Sequence, residues 1–376
     1  MMKRIYFDNA ATTQLAPEVL EHMLPYLTDY FGNPSSIHAY GRETRLAIEN
    51  ARKSVARILS VHPAEIFFTS GGTESSNTAI HCAVRDLGCS HIITSPVEHH
   101  ATLHTVSFLE KTAGITISYV HVDADGYISY DHLETLLKEA PGKTLVSLMH
   151  ANNEIGNMTD LVRVGTLCRS YNAIFHSDTV QTVGHFPINL RNIPVDFISA
   201  SAHKFHGPKG TGILYINENI RIQPWIHGGG QERNMRAGTE NVSGIVGFAK
   251  ALEFATSTME VDHTYILNLR NYLLSQLRLM IPDIAFNGDP EGSSLYTILN
   301  AAFPFTPKTE LLMMNLDIHH IAVSGGSACT SGAAQESHVI RAVNRYPDRI
   351  PIRFSFSKYN TLQEIDTVIA KLQEML

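Results

Sequence analysis

Apolar and polar positions along this chain switch repeatedly between two periods. Short runs rich in β-branched and aromatic residues, "EIFFTS", "HIITSP", "ITISYVHV", "TLVSLMH", "AIFHSD", "DFISAS" and "GILYIN", read as strands. The segments between them repeat at helical spacing. In "TESSNTAIHCAVRDLG", Ile80, Ala83, Val84 and Leu87 stand at i, i+3, i+4 and i+7, which gives one apolar face. Strands alternating with helices from residue 65 to residue 217 predict an α/β fold, a large domain with a mostly parallel sheet flanked by helices. After about Gly247 the texture changes. A long helical stretch, "YILNLRNYLLSQLRLM", leads to further strand-like pieces, "IPIRFSFS" and a final amphipathic helix, "TLQEIDTVIAKLQEML". These predict a smaller α+β domain. The expected division is residues 14–255 for the large domain, and residues 256–376 with residues 1–13 for the small one.

Composition sharpens this picture. The chain has 376 residues, 44% of them hydrophobic, enough for more than one core, since a single core stops growing near roughly 250–300 residues. Net charge is -7 and no run of five basic residues occurs, which argues against nucleic acid or an anionic membrane as the main partner. No uninterrupted apolar run would span a bilayer, and "MMKRIYFDNA" lacks the apolar stretch of a signal peptide. A cytoplasmic, soluble protein is expected. The four cysteines, Cys82, Cys89, Cys168 and Cys329, do not make a disulfide framework in a chain of this length. Cys82 and Cys168 fall on apolar helix faces and read as core. Cys89 follows Gly88 in a turn and suggests no function. Cys329 is different. It lies in "SGGSACTSG", among serines, glycines and threonines, with almost nothing apolar to pack against.

In open α/β sheets, ligands bind at the carboxyl ends of the strands. The residues that follow the strand runs here are "SGGTES", "PVEHH", "HANNEIG", "SDTVQ" and "SAHKFHGPKG". In "SGGTES", Gly71, Gly72 and Thr73 open a helix straight after a strand. That suits an anion cradle of free N–H groups at a positive dipole end, or equally an ordinary turn with a threonine cap. Lys204 in "SAHKFHGPKG" is either a solvated loop lysine or, in a pocket, a nucleophilic amine able to form Schiff bases with aldehydes. Asp178 and Gln181 in "HSDTVQ" place a carboxylate at a strand end, where it could hold a metal, act as a base or pair with a protonated ring nitrogen. His99 in "EHHATLH" could stack on a flat ligand or shuttle protons. Taken together, an amine, an acid for a pyridinium nitrogen and a helix N-terminus for a phosphate are what pyridoxal 5′-phosphate needs.

The longer motifs carry a resemblance. "YFDNAATT", "FGNPSSIHAYG", "FTSGGTES", "EHHA", "NNEIG", "SDTVQTVG", "SAHKFHGPKGTG", "HGGGQERNMRAGTENV", "SGGSACTSG" and "IRFS" run in order from residue 6 to residue 355. The sequence resembles the cysteine desulfurases, pyridoxal-phosphate enzymes of the class V aminotransferase fold (fold type I), in the subgroup with a long "SACTS" cysteine loop. The resemblance implies that Lys204 holds the cofactor and later removes the substrate Cα proton. Asp178 would pair with the pyridinium nitrogen, Gln181 with the ring hydroxyl oxygen, and His99 would stack on the ring and help move protons. Gly72, Thr73, Ser201 and His203 would hold the phosphate, and Thr239 would reach the phosphate of the other subunit of a homodimer. Asn153 and Arg353 would grip the substrate carboxylate, Arg353 as a bidentate fork. Cys329 would be the nucleophile that takes sulfur from L-cysteine as a persulfide, leaving L-alanine, and carries it to an acceptor protein, an iron–sulfur scaffold or a tRNA-thiolation partner. A loop of small residues suits a thiol that must swing.

Other readings compete. Twenty histidines invite a metal site, with His100 and His104 spaced i, i+4 near Glu98. No HExxH or CxxC motif accompanies them, and no metal is expected. Selenocysteine lyases and true aminotransferases would keep the cofactor but change the reaction. Cys329 is the discriminator, because transamination does not need it.

Overall fold

The computed structural model describes residues 4–325 and 337–376. Its largest sheet orders its strands as Ile66–Thr69, Gly212–Ile216, Phe197–Ser201, Ile174–Asp178, Thr144–Ser147, His91–Thr94 and Thr116–Tyr119. Only Gly212–Ile216 runs antiparallel to its neighbours; the other pairings are parallel. Each apolar run expected to be a strand is one. The inner strands are buried along almost their whole length, because helices cover both faces, and that explains their continuous rather than alternating hydrophobicity. The edge strand Thr116–Tyr119 is the one left half open.

A second hydrophobic cluster forms around the antiparallel sheet Arg349–Ser355, Ile298–Pro304 and Ala285–Asn287. The N-terminal strand Ile5–Tyr6 pairs in parallel with Ile321–Ala322, and Ile5 and Phe7 belong to this cluster. The helical stretch read from residue 265 is longer than its sequence pattern shows. It is one helix, Val242–Met280, whose first half (Ile245 to Ala255) packs in the large core and whose second half (Ile266 to Leu277) packs in the smaller one. Its apolar face changes partner midway, which blurs the periodicity. The expected boundary between residues 255 and 256 therefore falls inside a continuous helix.

Cys82, Cys89 and Cys168 are all buried and free. Burial pushes the Cys82 thiol up to about 12 and that of Cys89 up to about 11. They are inert packing residues. Among the described residues, no helix is long and apolar enough to cross a membrane.

Candidate active site

The loops that follow the parallel strands meet over one cavity of about 270 Å³. Lys204 ends a single 3-10 turn, Ala202–Lys204, directly after the strand Phe197–Ser201. Its Nζ donates to the carbonyl oxygens of Ala10 at 2.5 Å and Ala11 at 2.9 Å. Asp178 is the last residue of its strand, and its Oδ1 accepts from the Val180 N–H at 2.9 Å. Burial pushes the Asp178 carboxyl up to about 6, against smaller downward pulls from that N–H and from Lys204. Gln181 lies one turn on and donates from Nε2 to the Ala10 carbonyl at 3.1 Å.

His99 caps the helix His100–Ala113, its Nδ1 accepting from the Ala101 N–H at 3.1 Å. In the neutral ring the proton is thereby assigned to Nε2. Burial, reinforced by Lys204 and the neighbouring histidines, pulls its pKa down to about 4, so the ring is uncharged at neutral pH. The helix Gly72–Arg85 opens on the same cavity, and no side chain caps it. Its N-cap, Gly71, has φ 152°, a region L side chains avoid, and a Cβ on Gly72 would sit 2.5 Å from Val180 Cγ2. Two glycines thus leave the positive end of a helix dipole facing the cavity, beside Ser201 and His203.

Arg353 reaches the cavity from the smaller sheet and is only 1% exposed. Its Nη2 pairs with Asp8 Oδ1 at 2.7 Å, its Nη1 donates to the Asn153 carbonyl at 2.8 Å, and its buried Nε has no partner among the described residues. The fork expected to grip a carboxylate is therefore already half engaged by the protein itself. Each Nη keeps a second hydrogen, and Nε–H keeps its only one.

Gly72, Thr73, His99, Asn153, Asp178, Gln181, Ser201, His203, Lys204 and Arg353 all line this cavity. Thr239 does not; it is exposed on the surface, in the segment where Arg236 pairs with Glu74 at 2.9 Å. Cys329 lies outside the described residues. Among the described residues, no group of three or more His, Cys, Asp or Glu side chains is arranged to hold a metal, and His100 and His104 stack on each other at 4.7 Å instead. The sequence reading missed Asp8, Ala10 and Ala11. Ala10 and Ala11 act through backbone carbonyls, which no side chain announces. Asp8 meets Arg353 across 345 residues of chain, a pairing without local signature.

The donor set fits a phosphorylated, aldehyde-bearing pyridine. A carboxyl lifted to about 6 by burial, with only a smaller pull from Lys204, would be held ionised by a protonated ring nitrogen beside it. An uncapped helix start with Ser201 beside it suits a phosphate. A mostly parallel sheet that brings an amine, a buried carboxylate and such a helix end to one cavity defines a pyridoxal-phosphate enzyme. The chain belongs to the aminotransferase class-V family, whose model matches residues 5–368. It is 44% identical over 381 residues to a protein of Dictyoglomus turgidum named cysteine desulfurase IscS, covering 100% of this chain and 95% of that one. A solved structure described as a NifS-like protein superposes with a TM-score of 0.91 at 39% identity, over 99% of both chains. Another, described as SspA in complex with cysteine, gives 0.80 at 32% identity, over 96% of this chain and 100% of that one.

Proposed function

We infer that this chain is a pyridoxal-phosphate-dependent cysteine desulfurase, which converts L-cysteine to L-alanine and hands the sulfur to an acceptor protein. The convergence of Lys204, Asp178, Arg353 and the Gly71–Thr73 helix start on one cavity carries the reading. Full-length similarity to proteins of that name supports it. When bound, the cofactor withdraws electrons from the substrate Cα. Asp178 would pair with the ring nitrogen and keep it protonated. The positive end of the helix Gly72–Arg85, with Ser201 and His203, would bind the phosphate. Lys204 would take the Cα proton once its Nζ is freed; its present acceptors, the Ala10 and Ala11 carbonyls, would hold the released ammonium afterwards. Arg353, fixed by Asp8 and Asn153, would offer its remaining N–H groups to the substrate carboxylate. His99, neutral with its proton on Nε2, would lie on the ring and donate or relay a proton.

Cys329 would attack the substrate sulfur as a thiolate. An S–S bond forms, the substrate C–S bond breaks, and its electron pair stays on the carbon side, which protonates on the way to alanine. The sulfur left on Cys329 is a persulfide for an acceptor in iron–sulfur or thionucleoside synthesis. A homodimer also belongs to this reading. Apolar side chains crowd the surface of the first helices and the loop after them, with Phe31 74% and Ile37 90% exposed. A second copy would cover them and bring its own exposed Thr239 toward the phosphate.

Incubating the purified holoenzyme with L-cysteine should yield alanine and a persulfide on Cys329. Cys329→Ala should keep the yellow cofactor and lose alanine formation. Undiminished desulfuration by that variant would exclude the persulfide route.

A further inference from the structure

A second, much smaller cavity of about 30 Å³ shares Ala10, Gln181 and Lys204 with the first and lies between the two hydrophobic cores. His185 lines it, at the end of the turn that follows the strand ending in Asp178. Its Nε2 stands 3.0 Å from the backbone carbonyl oxygen of Lys204. A carbonyl only accepts, so Nε2 carries a hydrogen. Its Nδ1 stands 3.1 Å from the hydroxyl of Tyr296. That hydroxyl is also 3.3 Å from the carbonyl of His185, so it can donate to either. Tyr296 is 3% exposed and packs in the smaller core. The turn itself is pressed close: Gly184 has φ 83°, and a Cβ there would lie 2.6 Å from Phe205 Cβ, the residue next to Lys204.

The surroundings leave this bond chain little competition. Asp262 and Lys358, the charged groups lining the same cavity besides Lys204 itself, pair with each other at 3.2 Å. His206 is committed to the Gln14 carbonyl through Nδ1 at 3.0 Å, and His263 packs edge-on against Tyr296 with ring centroids 4.4 Å apart. Burial pulls the His185 pKa down, which favours the neutral ring with a single, fixed tautomer.

We propose that His185 is a positioning residue for Lys204: it clamps the lysine's backbone carbonyl, and Tyr296 from the smaller core orients the imidazole that does so. A lysine that must alternately hold the cofactor and serve as a base pivots on a four-carbon stem. Its reach is set by where its Cα is held, and a misplacement of about 1 Å can cost about a hundredfold. The relay also ties the smaller core, which supplies Arg353, to the residue doing the proton transfer. The proposal rests on Lys204 carrying the cofactor.

The test compares holoenzyme of wild type, His185→Leu, His185→Gln and Tyr296→Phe. Glutamine can donate to the Lys204 carbonyl from its amide; leucine cannot. His185→Leu should lower kcat about tenfold with KM for cysteine within about twofold, the pattern of a lost transition-state alignment rather than lost binding. The pH midpoint of the cofactor's visible band should shift by about half a unit or more, because the Lys204 nitrogen changes its surroundings. His185→Gln should recover most of both, and Tyr296→Phe should fall between. An unchanged midpoint and kcat in His185→Leu overturns the proposal. So does an equal loss in leucine and glutamine variants that follows lowered melting temperature. Should the wild type make no alanine from cysteine, the function reading fails, while the band titration still decides the role of His185.

Discussion

The two sides of the cavity are held by different means. On the large sheet, Lys204, Asp178 and the Gly71–Thr73 turn sit at strand ends, where the sheet ladders and buried strands fix the backbone from which these groups reach the cavity. On the smaller sheet, Arg353 sits in mid-strand, paired across to Asn300, and its long side chain is held at the cavity by the Asp8 carboxylate and the Asn153 backbone carbonyl. Topology positions the first set, and electrostatic pairing positions the second. Substitution on the large sheet should therefore cost reaction rate with little stability, whereas substitution at Arg353 should cost both.

Lys204→Ala is the sharpest test of that contrast. Its desulfuration rate should fall by about a thousandfold or more, as expected for loss of a positioned base, and its cofactor should no longer be covalently held. Its melting temperature should stay close to that of the wild-type apoprotein. A comparable loss of stability would break the distinction between the two sides.

Next comes a place where the large core itself uses electrostatics. Glu232, Arg233 and Asn234 all adopt left-handed φ values of 44°, 57° and 68°. Glu232 is held there by a bidentate pair with the fully buried Arg52 at 2.7 and 2.8 Å and by the Phe68 N–H at 2.8 Å. Glu232→Gln should destabilise the fold by about 2 kcal/mol in chemical denaturation, since the buried Arg52 guanidinium loses its bidentate charged partner and keeps Glu49 at 3.1 Å. Arg353→Lys is expected to be milder. It keeps the charge that answers Asp8 but loses the planar fork, so KM for cysteine should rise about thirtyfold with a smaller drop in kcat.

The smallest effect is a slope. Burial pulls His99, His150, His203 and His206 to about 4 and His176 to about 3. The unfolded chain binds protons at these residues below about pH 6.5, and the folded chain does so only near 3 to 4. Unfolding is therefore favoured as pH falls through that window, by about 1.4 kcal/mol per pH unit for each proton taken up. Asp178 acts the other way. Its raised pKa makes the apoprotein lose stability as pH rises from about 4 to 6. Cofactor binding should remove that contribution, and the difference between apo and holo stability curves in this interval measures it.

Much of this was legible in the sequence. The strand runs, the glycines before Thr73 and the strand-end positions of Lys204 and Asp178 are local features, and local features survive in a one-dimensional pattern. The long motifs pointed to the family, and Arg353, which they singled out, lines the cavity. The tie from Arg353 to Asp8 was not legible, since the partners are 345 residues apart. Nor were the Ala10 and Ala11 carbonyls that receive Lys204, or the approach of His185 to that lysine's backbone. The helix Val242–Met280 was seen only in its second half, because its apolar face serves two cores in turn.

The sequence by itself determined which groups exist and on which kind of element each is carried, because hydrophobic period, glycine placement and residue type act within a few positions along the chain. Tertiary structure decided who meets whom. Pairing of Ile5–Tyr6 with Ile321–Ala322, and of Arg353 with Asp8, joins segments from opposite ends of the chain. Such contacts form only when burying two cores brings those segments together, and the free energy that does so belongs to the whole packing rather than to any stretch of residues.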